Sequence, residues 1–117
     1  MNNKVTAYCY SKFDKRDGSR IGYLIRSENE EVKILSVESR SQEYVELESI
    51  KALIKAIPSE TAIELFMFAG KSFKKLHSMR SKLDKEFLAL ISSRSCHIYW
   101  LRNGESNKFI DKIKRLV

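Results

Sequence analysis

Proline and glycine are scarce in this chain: one proline and four glycines in 117 residues, scattered rather than clustered. That excludes a Pro/Gly/Ser-rich linker. With no repeat or low-complexity tract either, one domain spanning residues 1–117 is expected. Cysteine is nearly as rare. Cys9 and Cys96 stand far apart, with no CxxC pair and no Cys/His spacing of the kind that holds zinc. Two buried free thiols in a reducing interior are expected, and so a cytoplasmic protein rather than a disulfide scaffold. No apolar run approaches the roughly 20 residues that span a bilayer. No signal-like apolar segment follows Met1, so no membrane partner is expected.

Negative charge is what the second half lacks. Residues 1–70 carry 10 Lys/Arg against 11 Asp/Glu, whereas residues 71–117 carry 12 against 4. The later segment therefore holds +8 and accounts for the whole net charge of +7. A half so lopsided points to a polyanionic partner. The candidate contacts are Lys71, Lys74, Lys75, Arg80, Lys82 and Lys85, followed by Arg102, Lys108, Lys112 and Arg115.

The chain is 43% hydrophobic, enough for a real core, and its patterning is regular. Val5, Ala7 and Cys9 alternate with Thr6, Tyr8 and Tyr10, which is strand periodicity. Asp17-Gly18 is a hairpin turn signal. A second strand is predicted over residues 20–26, with Ile21, Tyr23 and Ile25 on one side, and a third over 31–37 after Asn29-Glu30. Ser39 and Gln42 have capping-box spacing before a helix whose stripe is Tyr44, Leu47, Ile50, Ile54 and Ile57. Pro58 ends that helix.

Residues 62–69 are almost continuously apolar and suit a central strand covered on both faces. A long basic helix is predicted over 71–92, with a break near Arg80-Ser81-Lys82 and a stripe of Phe73, Leu76, Leu83, Phe87 and Leu90. A strand over 96–102 follows, then an Asn103-Gly104 turn, then a helix with Phe109, Ile110, Ile113 and Leu116 inside. Three strands in a row make an antiparallel meander. Strands alternating with helices then pair in parallel through right-handed crossovers. The expected fold is α/β, in the order βββαβαβα, with a mixed five-stranded sheet in which strands 4 and 5 run parallel to strand 1.

Three local patterns bear a further reading. Val45-Glu46-Leu47 lies on the first helix, Trp100-Leu101-Arg102 ends the last strand, and Asn107-Lys108-Phe109-Ile110-Asp111 opens the last helix. In this order and spacing they resemble the ribonuclease H family, with its Met-Glu-Leu stretch, its Trp-Val-Lys and its Asn-Glu-x-Ala-Asp. The resemblance covers nearly the whole chain in element order. It implies a ribonuclease H-like fold and a cleft formed by Cys9, Glu46, Ala69 and Asp111.

The departures decide what that implies for chemistry. The family's two strand-end aspartates fall on Cys9 and Ala69. Its paired asparagines fall on Gln42 and Glu43, and its loop histidine falls on Gly104. Two-metal phosphodiester hydrolysis needs two divalent ions held roughly 4 Å apart. Magnesium wants oxygen ligands; cysteine is soft and alanine supplies none. Two surviving carboxylates carry half the negative charge the full set would place against the two ions. The positions are therefore vestigial, and neither a metal, a cofactor nor a catalytic residue is expected.

Glu46 suits a solvated helix carboxylate as well as a ligand, and Asp111 suits helix pairing with Lys108, Lys114 or Arg115. Cys9 is read as a small buried residue and not as an activated nucleophile. His77 and His97 are read as structural. In each of the pairs Tyr99/Trp100 and Tyr8/Tyr10, stacking on bases competes with burial. The leading expectation is a catalytically inactive ribonuclease H-like module that binds RNA, DNA or a hybrid within a nucleoprotein assembly. A protein-interaction scaffold or accessory subunit is second. An active hydrolase rearranged around Glu46, Asp111 and either Glu48 or Glu64 is third.

Overall fold

The computed structural model describes residues 4–26, 31–68, 85–102 and 105–117, without the side chains of Glu86 and Leu88. Strands β1 (Lys4–Lys12), β2 (Ser19–Ile25) and β3 (Val32–Val37) come first, then helix α1 (Gln42–Lys55) and strand β4 (Ala62–Phe68). Helix α2 (Lys85–Ser92), strand β5 (Cys96–Leu101) and helix α3 (Lys108–Leu116) complete the order. The five strands form one sheet in the order β3-β2-β1-β4-β5. β1 pairs antiparallel with β2, and β2 with β3, whereas β1–β4 and β4–β5 are parallel. The α/β class, the meander and the parallel pairs are as the patterning predicts.

Alternation along the strands assigns the two faces. Ala7 and Cys9 of β1 and Ile63, Leu65 and Met67 of β4 pack with Leu47, Ile50, Leu53 and Ile54 of α1 and Phe87 of α2. Tyr8 of β1 and Leu24 of β2 pack the other way, with Ile110 and Ile113 of α3. Thus α1 and α2 cover one face and α3 the other. Burying Ile110 and Ile113 completely stabilises the α3 contact by roughly 1.5–3 kcal/mol per side chain. β4 is covered on both faces, as its apolar run requires, because Phe66 and Phe68 join the α3 side.

Two glycines are needed where they stand. Gly18 has φ +88° in the β1–β2 turn, a conformation that costs other residues energy. At Gly22 on β2, a Cβ would meet Ile113 Cγ2 at 2.5 Å, so glycine there lets α3 approach the sheet.

The helix start differs from the expected capping box. Ser41, not Ser39, is the N-cap, accepting the Tyr44 amide at 3.0 Å. The Ser39 hydroxyl is engaged elsewhere: it donates to the Asp14 carbonyl at 2.7 Å, accepts the Ser19 amide at 3.0 Å and lies 2.7 Å from Ser19 Oγ. A tertiary network tying two loops together outcompetes the local cap. Helix α1 ends at Lys55 with Ala56 as C-cap, just before Pro58, as expected.

Of the long basic helix, only Lys85–Ser92 is described. The break near Arg80, the stripe residues Phe73, Leu76 and Leu83, His77 and the Asn103-Gly104 turn lie outside the described residues. Among the described residues, no helix is long and apolar enough to cross a membrane.

Candidate functional site

Strand alternation and the first turns of α1 bring two of the four vestigial positions together. Cys9 points from β1 toward α1 and is 1% exposed. Starting α1 at Ser41 turns Glu46 inward, where one carboxylate oxygen accepts the Gln42 side-chain amide at 3.1 Å. Glu46 is 5% exposed, so the solvated-carboxylate expectation is corrected: the helix stripe carries it under the protein. One turn on, Ser49 Oγ donates to the Glu46 carbonyl at 2.6 Å and lies 3.6 Å from Cys9 Sγ. The thiol also faces Met67 Sδ at 3.9 Å.

Burial pushes the Cys9 thiol up to about 12. The Ser49 hydroxyl works against that rise, while Cys96 and the Glu46 carboxylate add to it. Burial likewise pushes Cys96 up to about 11. Both thiols are free and neutral, and a neutral buried thiol is no nucleophile.

Asp111 is exposed in the first turn of α3, on the helix that covers the opposite face of the sheet. Its backbone carbonyl receives Arg115 Nε at 3.4 Å. Ala69 lies outside the described residues.

A hard dication needs charged oxygens, and the Cys9 pocket offers a thiol, a thioether and a hydroxyl beside one carboxylate. This donor set does not fit paired magnesium ions. Nor do the carboxylates of a rearranged site gather. Glu48 forms an ion pair with Lys51 at 2.9 Å on α1, and Glu64 pairs with Lys4 on the α3 side of β4. Among the described residues, no three His, Cys, Asp or Glu side chains form a group able to hold a metal.

The cations are arranged differently. Asn107 caps α3, its Oδ1 accepting the amides of Phe109 at 3.0 Å and Ile110 at 3.1 Å. With Ile110 and Ile113 turned inward, Lys108, Lys112 and Arg115 stand exposed at i, i+4 and i+7. Lys114, which the charge argument did not single out, is exposed on the same helix. Arg102 is exposed just beyond β5, and its amide donates to Glu105 Oε1 at 3.1 Å. Lys85 is exposed but belongs to α2, on the other face of the sheet. Lys71, Lys74, Lys75, Arg80 and Lys82 lie outside the described residues.

The aromatic pairs resolve by strand parity. Trp100 packs into the α1 face, and Tyr8 and Tyr10 both pack on the α3 face. Tyr99 faces the α3 side and remains 40% exposed. There it ends a ladder that sequence reasoning missed. Phe109 stacks on Tyr8 at 4.7 Å between ring centroids, Tyr8 on Phe66 at 5.4 Å, and Phe66 on Tyr99 at 4.8 Å. Arg26 and Lys108 sit over the Phe109 ring at 4.7 and 5.0 Å. The only signal for this ladder was the parity of Tyr8, Phe66 and Tyr99, which becomes informative once the strand register is known.

No protein-family model matches this chain, and no curated protein matches it either.

Proposed function

We propose that this chain is a catalytically inactive ribonuclease H-like module that binds nucleic acid through the cationic surface around α3, within a larger nucleoprotein assembly. The observation that carries the reading is the exposed cationic stripe of Lys108, Lys112 and Arg115 on α3, with Arg102 exposed just beyond β5. The sheet order β3-β2-β1-β4-β5, with β4 and β5 parallel to β1, supports the family resemblance. A cationic helix face of this kind contacts phosphates, so affinity falls with salt and sequence preference is weak. The reading includes no resident metal or cofactor, and it puts the module in the cytoplasm, where free thiols persist.

The test is a titration of duplex DNA, an RNA–DNA hybrid and a single strand at about 50 and 200 mM salt, the range in which phosphate contacts dominate. Binding that weakens steeply with salt is expected. No binding to any of the three at the lower concentration overturns the proposal.

A second reading, a protein-interaction scaffold, is favoured by β3. It is an outer strand, and its Ile34 and Leu35 are 36% and 45% exposed. Such an edge can accept another strand. A stoichiometric protein partner that survives nuclease treatment and is lost in Leu35→Lys would favour this reading over the first.

A further inference from the structure

We infer that the outer end of the aromatic ladder, Tyr99 on β5, is a stacking platform for an unpaired base, which makes single-stranded nucleic acid the preferred ligand of the module. This rests on the nucleic-acid reading above and narrows it.

Among the described residues, the ladder is covered at one end and not at the other. At Phe109, α3 caps it and two cations lie over the last ring. Its rungs are nearly parallel, with interplanar angles of 24°, 23° and 14° from Phe109 outward, and their spacings lie in the range of offset stacking. At the far end Phe66 covers one side of Tyr99, and among the described residues β5 is the outer strand of the sheet, with no further strand to supply the next ring. Tyr99 is 40% exposed. An unpaired base has the planar π face that continues the stack. In a duplex that face is already occupied by neighbouring bases.

The surroundings suit a strand more than an apolar peptide. Tyr99 borders a shallow depression of about 690 Å³ shared with His97, Lys4, Arg94 and Glu64. His97 is exposed, and its ring lies 4.4 Å from Tyr99 at a 57° tilt, forming a second wall. Lys4 pairs with Glu64, and the Arg94 guanidinium is held by the carbonyls of Ile54 at 3.0 Å and Pro58 at 2.7 Å. Lys4 and Glu64 offset each other and the Arg94 guanidinium is held at the C-terminal end of α1, so the positive charge on the Tyr99 side of the sheet is that of the α3 cations. Aromatic platforms beside a cationic track are how single strands are held without sequence preference.

The experiment compares the full-length wild type with Tyr99→Leu and Tyr99→Phe, using a fluorescently labelled homopyrimidine strand and a duplex of equal length. Leucine keeps apolar contact with Phe66 but removes the ring face; phenylalanine restores it. Tyr99→Leu is expected to weaken single-strand binding roughly 5- to 150-fold, the range for losing one base–aromatic stack. Duplex affinity and the salt dependence should stay as in wild type, and Tyr99→Phe should bind like wild type. Unchanged single-strand affinity in Tyr99→Leu, or an equal loss for duplex, overturns this inference and leaves the α3 reading standing. No binding of either ligand by wild type overturns both.

Discussion

Replacing Arg102, Lys108, Lys112 and Arg115 together by glutamine should flatten the salt dependence of binding by a calculable amount. On α3 the three cations at i, i+4 and i+7 span about 10 Å at 1.5 Å per residue, a length that matches about three phosphates of one strand. Arg102, exposed just beyond β5, would supply a fourth contact. Each phosphate neutralised on a duplex contributes about −0.9 to the slope of log K against log salt, and about −0.7 on a single strand. The variant's slope should therefore be shallower by about 3.6 on duplex and about 2.8 on single strands. Between 50 and 200 mM salt, the wild type should lose about 150-fold more duplex affinity than the variant, and about 50-fold more on a single strand. Fluorescence anisotropy across four salt concentrations reads this directly. All four side chains are exposed, so thermal unfolding should move little. Parallel salt plots for wild type and variant, displaced only in intercept, would refute the assignment of these cations to phosphates.

Two further predictions concern the scaffold. Gly22→Ala places a methyl 2.5 Å from Ile113 Cγ2 and should destabilise by about 1–3 kcal/mol in denaturant unfolding. Combined with Ile113→Ala, the two losses should fall short of additivity by about 1 kcal/mol or more; strict additivity contradicts the close approach of α3 to β2. Cys9 makes stability pH-dependent in a definite direction. Its folded value, about 12, lies above the ordinary 9.0, so the native state holds the proton longer than the unfolded chain does. Stability from this group is intact below about pH 9 and declines as pH rises, by about 2 kcal/mol at pH 10.5. Cys9→Ala should remove that part of the alkaline slope, and an unaltered slope would refute the burial argument.

Much of the fold was legible because its signals are local and periodic. The α1 stripe, the meander and the double-sided burial of β4 all follow from spacing alone. The Ser39 cap was misread because Ser39 and Ser41 compete for one role, and the Ser19 and Asp14 partners that withdraw Ser39 lie 20 and 25 residues away. Glu46 shows the same limit: a carboxylate at that position reads as solvated until the packing of α1 on β1 is known. The motif pairing Glu46 with Asp111 specified order and spacing but not which face of the sheet each helix covers. The aromatic ladder was illegible because Tyr8, Phe66 and Tyr99 meet only through the register of three strands. Net charge, by contrast, marks the C-terminal half as cationic but cannot separate α2 from α3.

The central claim is that cations bind nucleic acid here without metal-dependent hydrolysis. A doubly labelled RNA–DNA hybrid, mixed with the protein in EDTA and then in excess manganese at low salt, reports binding and cleavage in one sample. The expected result is binding in EDTA that manganese does not strengthen, weakening only as a competing cation would cause, and an intact hybrid after prolonged incubation. Binding that requires manganese, or cleavage that Glu46→Gln abolishes, would contradict it.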